Sequence, residues 1–194
     1  IPLTKDLGFI MSAIRKKVFA NMKNLNTEDF EINDLLIYEQ PNSYIVTCDE
    51  YIFDSTKTPV LTANKGFILG YTEEVFGIYQ KGNCIIFDDF TMDAKYVTFP
   101  FKVKSSAIKI LTAKPNVNLR FMFEYLQSME LKSEEHKRHY LSEISTLVLS
   151  IPTINMQNRI AYILDSIDSK IVLEQQIAEK YKKEKRYLLS NMFI

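Results

Sequence analysis

Asn155–Met192 reads NMQNRIAYILDSIDSKIVLEQQIAEKYKKEKRYLLSNM, with neither glycine nor proline. Apolar residues recur in alternating steps of four and three, at Ile160, Leu164, Ile167 and Ile171, then at Ala178, Tyr181, Leu188 and Met192. Glu174 and Lys185 stand where the stripe would continue. The pattern is a heptad seam with two polar interruptions, on a helix roughly 55 Å long at about 1.5 Å per residue. One small domain cannot cover so long and narrow a stripe. A partner helix is expected, in this chain or another, the plainer alternative being a long helix packed on its own domain; self-association through Ile160, Leu164, Ile167, Ile171, Ala178, Tyr181 and Leu188 is the predicted way to supply it. The flanks carry both signs (Asp165, Asp168, Lys170, Glu179, Lys182, Lys183), as a solvated coiled-coil surface does.

Outward from this helix, the 194 residues are 46% hydrophobic and 12% aromatic, enough for one well-cored domain and an extension. The net charge is zero, but its distribution is uneven. Residues 31–93 hold eleven acids against three lysines, a net of −8. Ala94–Phe123 has no acid but carries Lys95, Lys102, Lys104, Lys109, Lys114 and Arg120, which predicts a positive surface on a neutral protein. Cys48 and Cys84 make neither a disulfide framework nor a metal site, and buried free thiols in a reducing cytoplasm are expected. No apolar run has the length of a membrane span, and the N-terminus does not read as a signal peptide. A start at Ile1 rather than Met suggests a fragment or a processed chain.

Along the chain, Asp6–Asn24 predicts a short amphipathic helix with Phe9, Ile10, Ala13, Ile14, Val18 and Met22 on its apolar face and Arg15, Lys16, Lys17 and Lys23 on its polar side. Short strands are expected at 44–48, 60–62, 67–71, 75–79, 84–87, 96–99 and 107–111, separated by turn residues, with a hairpin at Lys81-Gly82-Asn83. A helix over Val117–Leu131 would be capped by Asn116 or Asn118, and a polar stretch Ser133–Ile144 would hold a loop and a short helix. Leu147–Ile151 reads as a last strand, ended by Pro152, with Asn155 capping the long helix. The expected division is a helical extension over 1–29, a mixed domain over 30–154 and the long helix over 155–194. The fold class is α+β.

The search for chemistry returns little. Asp88, Asp89 and Asp93 follow a strand, where paired acids hold Mg²⁺ in nucleases, but neighbours in an extended strand point to opposite faces. A turn or capping role suits them better. His136 and His139 lack the companions of a metal site, and the five glycines form no phosphate-binding loop. No catalytic residue, metal or cofactor is expected, and binding is favoured over catalysis. The loops Lys57–Gly66 and Lys102–Ser106 mix lysine, hydroxyl and amide groups, which bind phosphates and read base edges.

Several stretches together carry a resemblance: Tyr38-Glu39-Gln40-Pro41 before Tyr44-Ile45-Val46, Thr58–Thr62, Phe67–Thr72, Ile85–Thr91 and Phe101–Ser106. They resemble a target-recognition domain of type I restriction-modification specificity subunits. Ile151-Pro152 and the run Gln157–Ile171 are similar to the conserved-region helix after such a domain. The resemblance covers roughly Phe30 to Met192. It implies a mixed α/β recognition domain with many short strands and a long C-terminal coiled-coil helix. A full subunit has two of each, so this chain looks like a half-subunit. Its implied role is non-catalytic recognition of one half of a bipartite duplex-DNA site, with methyltransferase and restriction subunits as partners and the helix as spacer.

On this reading Lys57, Lys65, Lys95, Lys102 and Lys104 are candidates for phosphate contact, among Thr62, Thr91, Ser105 and Ser106 as hydroxyl groups near base edges. Lys102 and Lys104 are expected on the DNA face, with Asp49, Glu50, Glu73 and Glu74 off it. An antiparallel homodimer would set two recognition domains apart along DNA, reading an inverted repeat with a fixed gap. Charges at Ile167 and Ile171 are expected to abolish assembly while the domain stays folded. The rivals are a helical scaffold with no DNA role and a small Mg²⁺-dependent nuclease using Asp88, Asp89 and Asp93.

Overall fold

The computed structural model describes residues 3–22, 25–62, 66–131 and 140–192, with backbone alone for 3–6 and Leu141. In chain order the elements are α1 (Leu3–Asn21), β1 (Thr27–Glu31), α2 (Ile32–Leu35), β2 (Leu36–Glu39), β3 (Thr58–Leu61), β4 (Ile68–Thr72), β5 (Cys84–Asp88), β6 (Ala94–Val97), β7 (Lys102–Val103), β8 (Ile108–Ala113), α3 (Leu119–Ser128), β9 (Val148–Pro152) and α4 (Ile154–Met192). The class is α+β.

The strands form three sheets. β2-β8-β5-β6 is antiparallel throughout, β1 pairs with β9, and β3 lies between antiparallel β4 and parallel β7. β5 runs Cys-Ile-Ile-Phe-Asp and is buried along its length. Its period of two sends Ile85 and Phe87 to one face and Cys84 and Ile86 to the other, so the strand is sandwiched and needs no polar side. On the first face lie Met11 and Phe19 of α1, Phe121 and Met122 of α3, and Ile160 and Leu164 of α4. On the second lie Leu61, Tyr79, Phe101 and Val103 of the three-stranded sheet and its approaches. Burial pushes the Cys84 thiol up to about 12, so it is inert filler, while Cys48 is exposed, against expectation.

α3 is capped by Asn118, whose Oδ1 accepts the Phe121 N–H at 2.8 Å. α4 begins one residue before the expected Asn155 cap. The Thr153 carbonyl accepts the first helical N–H bonds, from Met156 and Gln157, so Asn155 sits inside the first turn. Segments 44–48 and 75–79, expected as strands, form none and pair with their neighbours only by the single bridges Ile45↔Val103 and Tyr79↔Phe101. Lys81-Gly82-Asn83 bends the chain, with Gly82 at φ +99, but joins that bridge to β5 rather than two paired strands.

α1 departs most from its expected role. Phe9, Ile10 and Ala13 are exposed, and the buried stripe is Met11, Phe19 and Met22, backed by Ile14 and Val18. Phe19 stacks on Tyr125 at 4.6 Å between centroids. The boundary expected at residue 29/30 falls within β1, which pairs with β9 from Thr27↔Pro152 to Glu31↔Val148. Met11, Phe19 and Met22 are thus packed into the same core as the rest, and β9 passes directly from its pairing with β1 into α4.

Candidate nucleic-acid interface

β3 and β7 run parallel, with Val60 opposite Lys102 and Leu61 opposite Val103. Their C-terminal ends therefore emerge side by side, and the Lys104 N–H donates to the Leu61 carbonyl at 3.1 Å. This places Thr62, Lys104, Ser105 and Ser106 together. The Ser105–Ala107 turn is joined in turn to the loop after β5, where the Asp89 N–H donates to the Ala107 carbonyl at 3.0 Å. In that loop Asp88 Oδ1 accepts the N–H groups of Phe90 and Thr91, both at 2.9 Å, holding Thr91 and the partly exposed Phe90 outward. Five of the expected residues so gather on one rim. Lys104, Ser105 and Thr91 are exposed on it, Ser106 is half-buried and Thr62 is buried.

The other candidates lie elsewhere. Lys57 is at the opposite end of β3, 3.1 Å from Glu73. Lys95 lines a cleft of about 550 Å³ between the domain and α4, with Phe67, Tyr96, Arg120 and Val172. Lys65 lies outside the described residues, as do His136 and His139. Lys102 is a correction. Its side chain is 1% exposed, pairs with Glu74, and donates to the Phe76 carbonyl at 2.9 Å. Since β7 is buried between β3 and the Tyr79–Phe101 bridge, the ammonium is turned inward rather than toward solvent. Glu74 also accepts from the Thr47 N–H and hydroxyl, at 2.9 and 2.8 Å. Burial alone would raise the Glu74 carboxyl, but the bonds from Lys102 and Thr47 outweigh it and hold the pKa at about 2.

Four of the six cations in the acid-free stretch, Lys102 among them, are tied to partners within the fold. Lys109 pairs with Asp89 at 3.1 Å, both nearly fully buried. Lys114 Nζ donates to the Asn33 carbonyl at 2.7 Å, and Arg120 lies among Glu124, Asp165 and Asp168. Among the described residues only Lys95 and Lys104 of these six cations lack such a partner. The nuclease arrangement also dissolves: Asp88 closes a turn, while Asp89 is tied to Lys109 and accepts the Tyr140 N–H at 2.8 Å. No group of three metal-ligating side chains occurs among the described residues.

The expected seam is divided. Ile160 and Leu164 are buried in the chain's own core and Ile167 and Ile171 rest against it, which corrects their reading as contacts to a second chain. Tyr181, Leu188 and Met192 are 66%, 56% and 73% exposed, and Ala178 is half-buried. Sequence reasoning missed Arg15, placed on the polar side of α1 yet bonded to Glu124 and Asp168. One signal was legible: Arg120 and Glu124 stand four apart on α3, a helical ion-pair spacing.

Among known proteins, residues 24–183 match the type I restriction modification DNA specificity domain. The specificity subunit of the type I restriction enzyme EcoR124I/EcoR124II of Escherichia coli is 36% identical over 179 residues, spanning 86% of this chain and 44% of that protein. Among solved structures, the S subunit of a type I restriction-modification system from M. genitalium superposes with a TM-score of 0.71 at 12% identity, covering 99% of this chain and 55% of that one. The HsdS subunit from Thermoanaerobacter tengcongensis does so with a TM-score of 0.59 at 14% identity, covering 89% and 46%. The chain thus spans about half the length of the relatives it matches. The family match takes in the sheets and most of the long helix in a single stretch, and with it the chain belongs to the type I restriction modification DNA specificity domain family.

Proposed function

We infer that this chain recognises duplex DNA sequence-specifically, reading one half of a bipartite site for a type I restriction-modification complex. It does so without catalysis of its own, in the cytoplasm, alongside methyltransferase and restriction subunits. The observation that carries this reading is the continuous family match over residues 24–183, which joins the recognition domain to its helix. The rim of Thr62, Thr91, Lys104, Ser105 and Ser106 is its best-supported contact surface. Lys104 supplies phosphate affinity, and the exposed hydroxyls of Thr91 and Ser105 are the candidates for base readout, with Thr62 buried behind them. The exposed second half of α4, with Tyr181, Leu188 and Met192, is the surface for self-association as a homodimer.

A scaffold without DNA contact draws support from the neutralisation of Lys102, Lys109 and Arg120 inside the chain. One experiment separates the two. The chain is assembled with its methyltransferase subunit and offered random duplexes, and the bound pool is sequenced. An enriched motif of two half-sites at a fixed gap supports DNA recognition. A pool left random by a demonstrably assembled complex leaves the scaffold.

A further inference from the structure

Where α4 leaves the domain, three helices meet in a cluster of charge. Arg15 of α1 donates from Nε to Glu124 at 2.6 Å and from Nη2 to Asp168 at 3.0 Å. Arg120 of α3 reaches the same Asp168 oxygen at 2.6 Å, Glu124 at 2.7 Å and Asp165 at 3.3 Å. Glu124 is fully buried, whereas the Asp168 side chain is 28% exposed. The Arg120 guanidinium lies 5.2 Å from the ring centroids of both Tyr96 and Phe123, which leaves it little room to turn. Burial raises the pKa of Glu124, with both arginines opposing it.

The cluster's place along α4 gives it leverage. Leu164 is the last fully buried residue of the helix; beyond it Ile167 and Ile171 pack only partly, and from Glu179 onward every described side chain is exposed. Among the described residues Asp168 is thus the last charged tether to the domain before the helix projects free. From Asp168 to Met192 are 24 residues (192 − 168), or about 36 Å of helix at about 1.5 Å each. A swing of about 10° at Asp168 would carry the far end about 6 Å, nearly two base steps of about 3.4 Å.

The geometry points to a lock: Arg15 and Arg120, bridged by Asp168 and seated on Glu124, hold the direction in which α4 leaves the domain. They are positioning residues, and their consequence is the gap between the two DNA half-sites. That consequence rests on the DNA-recognition reading, whereas the lock itself is a property of the chain.

The lock is tested on the full chain with spin labels at Thr98→Cys on the domain and Ser190→Cys near the end of α4. The background is Cys48→Ser, and labelled chain is diluted in excess unlabelled chain so that only distances within one chain are read. A narrow distance distribution is expected, at least doubling in width in Asp168→Asn. Asp165→Asn, which removes one peripheral contact, leaves it narrow. A second label pair within the domain, Thr56→Cys and Thr98→Cys, stays narrow in every variant, which separates a swinging helix from a loosened domain. An unchanged Thr98–Ser190 width in a folded Asp168→Asn chain overturns the lock. Should that variant fail to fold, Arg15→Met cuts the same bridge from α1 and is judged by the same criterion. In duplex selection, Asp168→Asn spreads the preferred gap over neighbouring lengths, and a gap held as tightly as in the parent overturns the link to spacing. A parent that selects no DNA refutes the functional reading and leaves the lock to be judged by the labels.

Discussion

Replacing Lys102 with Met keeps most of the stem's volume and removes the ammonium, so it asks directly whether this lysine serves the fold or DNA. In the structure the Lys102 side chain is 1% exposed and that of Glu74 is 12% exposed. Removing one partner of a buried pair costs about 3–5 kcal/mol, because the remaining charge stays desolvated. Glu74 keeps its two bonds from Thr47 and some water, so the low end, about 3 kcal/mol, is expected. For a chain of this size that lowers Tm by about 6–12 °C. The assay is a thermal melt beside a salt titration of DNA affinity in the assembled complex. Lys102→Met is expected to lower Tm and leave the salt slope of the folded fraction unchanged. Lys104→Ala is expected to do the reverse, keeping Tm and lowering the slope by about one. A Lys102→Met chain that melts like the parent but loses salt slope would show the ammonium facing DNA and refute the buried pairing.

Four further outcomes follow from the same geometry. The Glu74 carboxyl, held at about 2 against an ordinary 4.5, contributes stability that is full above pH 4.5 and is lost as pH falls toward 2; acid melts should show this loss, and Lys102→Met should shrink it. Leu164→Ala, at a fully buried site, should cost about 2–5 kcal/mol in urea melts whether or not chains associate. Tyr181→Asp with Leu188→Asp, both exposed, should leave the melt unchanged and abolish self-association by light scattering; an unchanged mass for a parent that is dimeric would remove the second half of α4 from the interface. Gly77→Ala should destabilise by more than about 1 kcal/mol, since its φ is +58 and a Cβ would stand 2.5 Å from the Ser43 carbonyl oxygen; a neutral effect by melt would show that the turn yields.

Much of the local structure was legible in the residues. The Asn118 cap, the β5 apolar run and the long helix each follow from a pattern contained within a few turns or one strand. Of the candidate site, the rim at Lys104–Ser106 and Thr91 was legible as polar groups in loops. Which loops become neighbours was not, because the parallel pairing of β3 with β7 joins positions some forty residues apart. Segments 44–48 and 75–79 have strand-like composition, yet each finds only one bridge. β-Propensity reports fitness for a pleated surface and not the presence of a neighbour to pair with.

The sequence by itself determined the class of the protein: a mixed domain followed by a helix with a heptad stripe, and residues enough like one family to be recognised. It did so because periodicity, capping and turn chemistry act over short spans of chain. The fate of each charge was decided only by the tertiary structure. Lys102 meets an acid 28 residues back, and Arg15 one 153 residues ahead, so cations of an acid-free stretch and of a polar helix face end up paired within the fold. The same holds for the seam of α4. Its period predicts a partner, but only packing against α1, α3 and the four-stranded sheet decides that the partner of Ile160 and Leu164 is the chain itself, leaving Tyr181 and Leu188 exposed. Burial and ion pairing depend on which surfaces meet in space, and a period of three and a half residues carries no record of that.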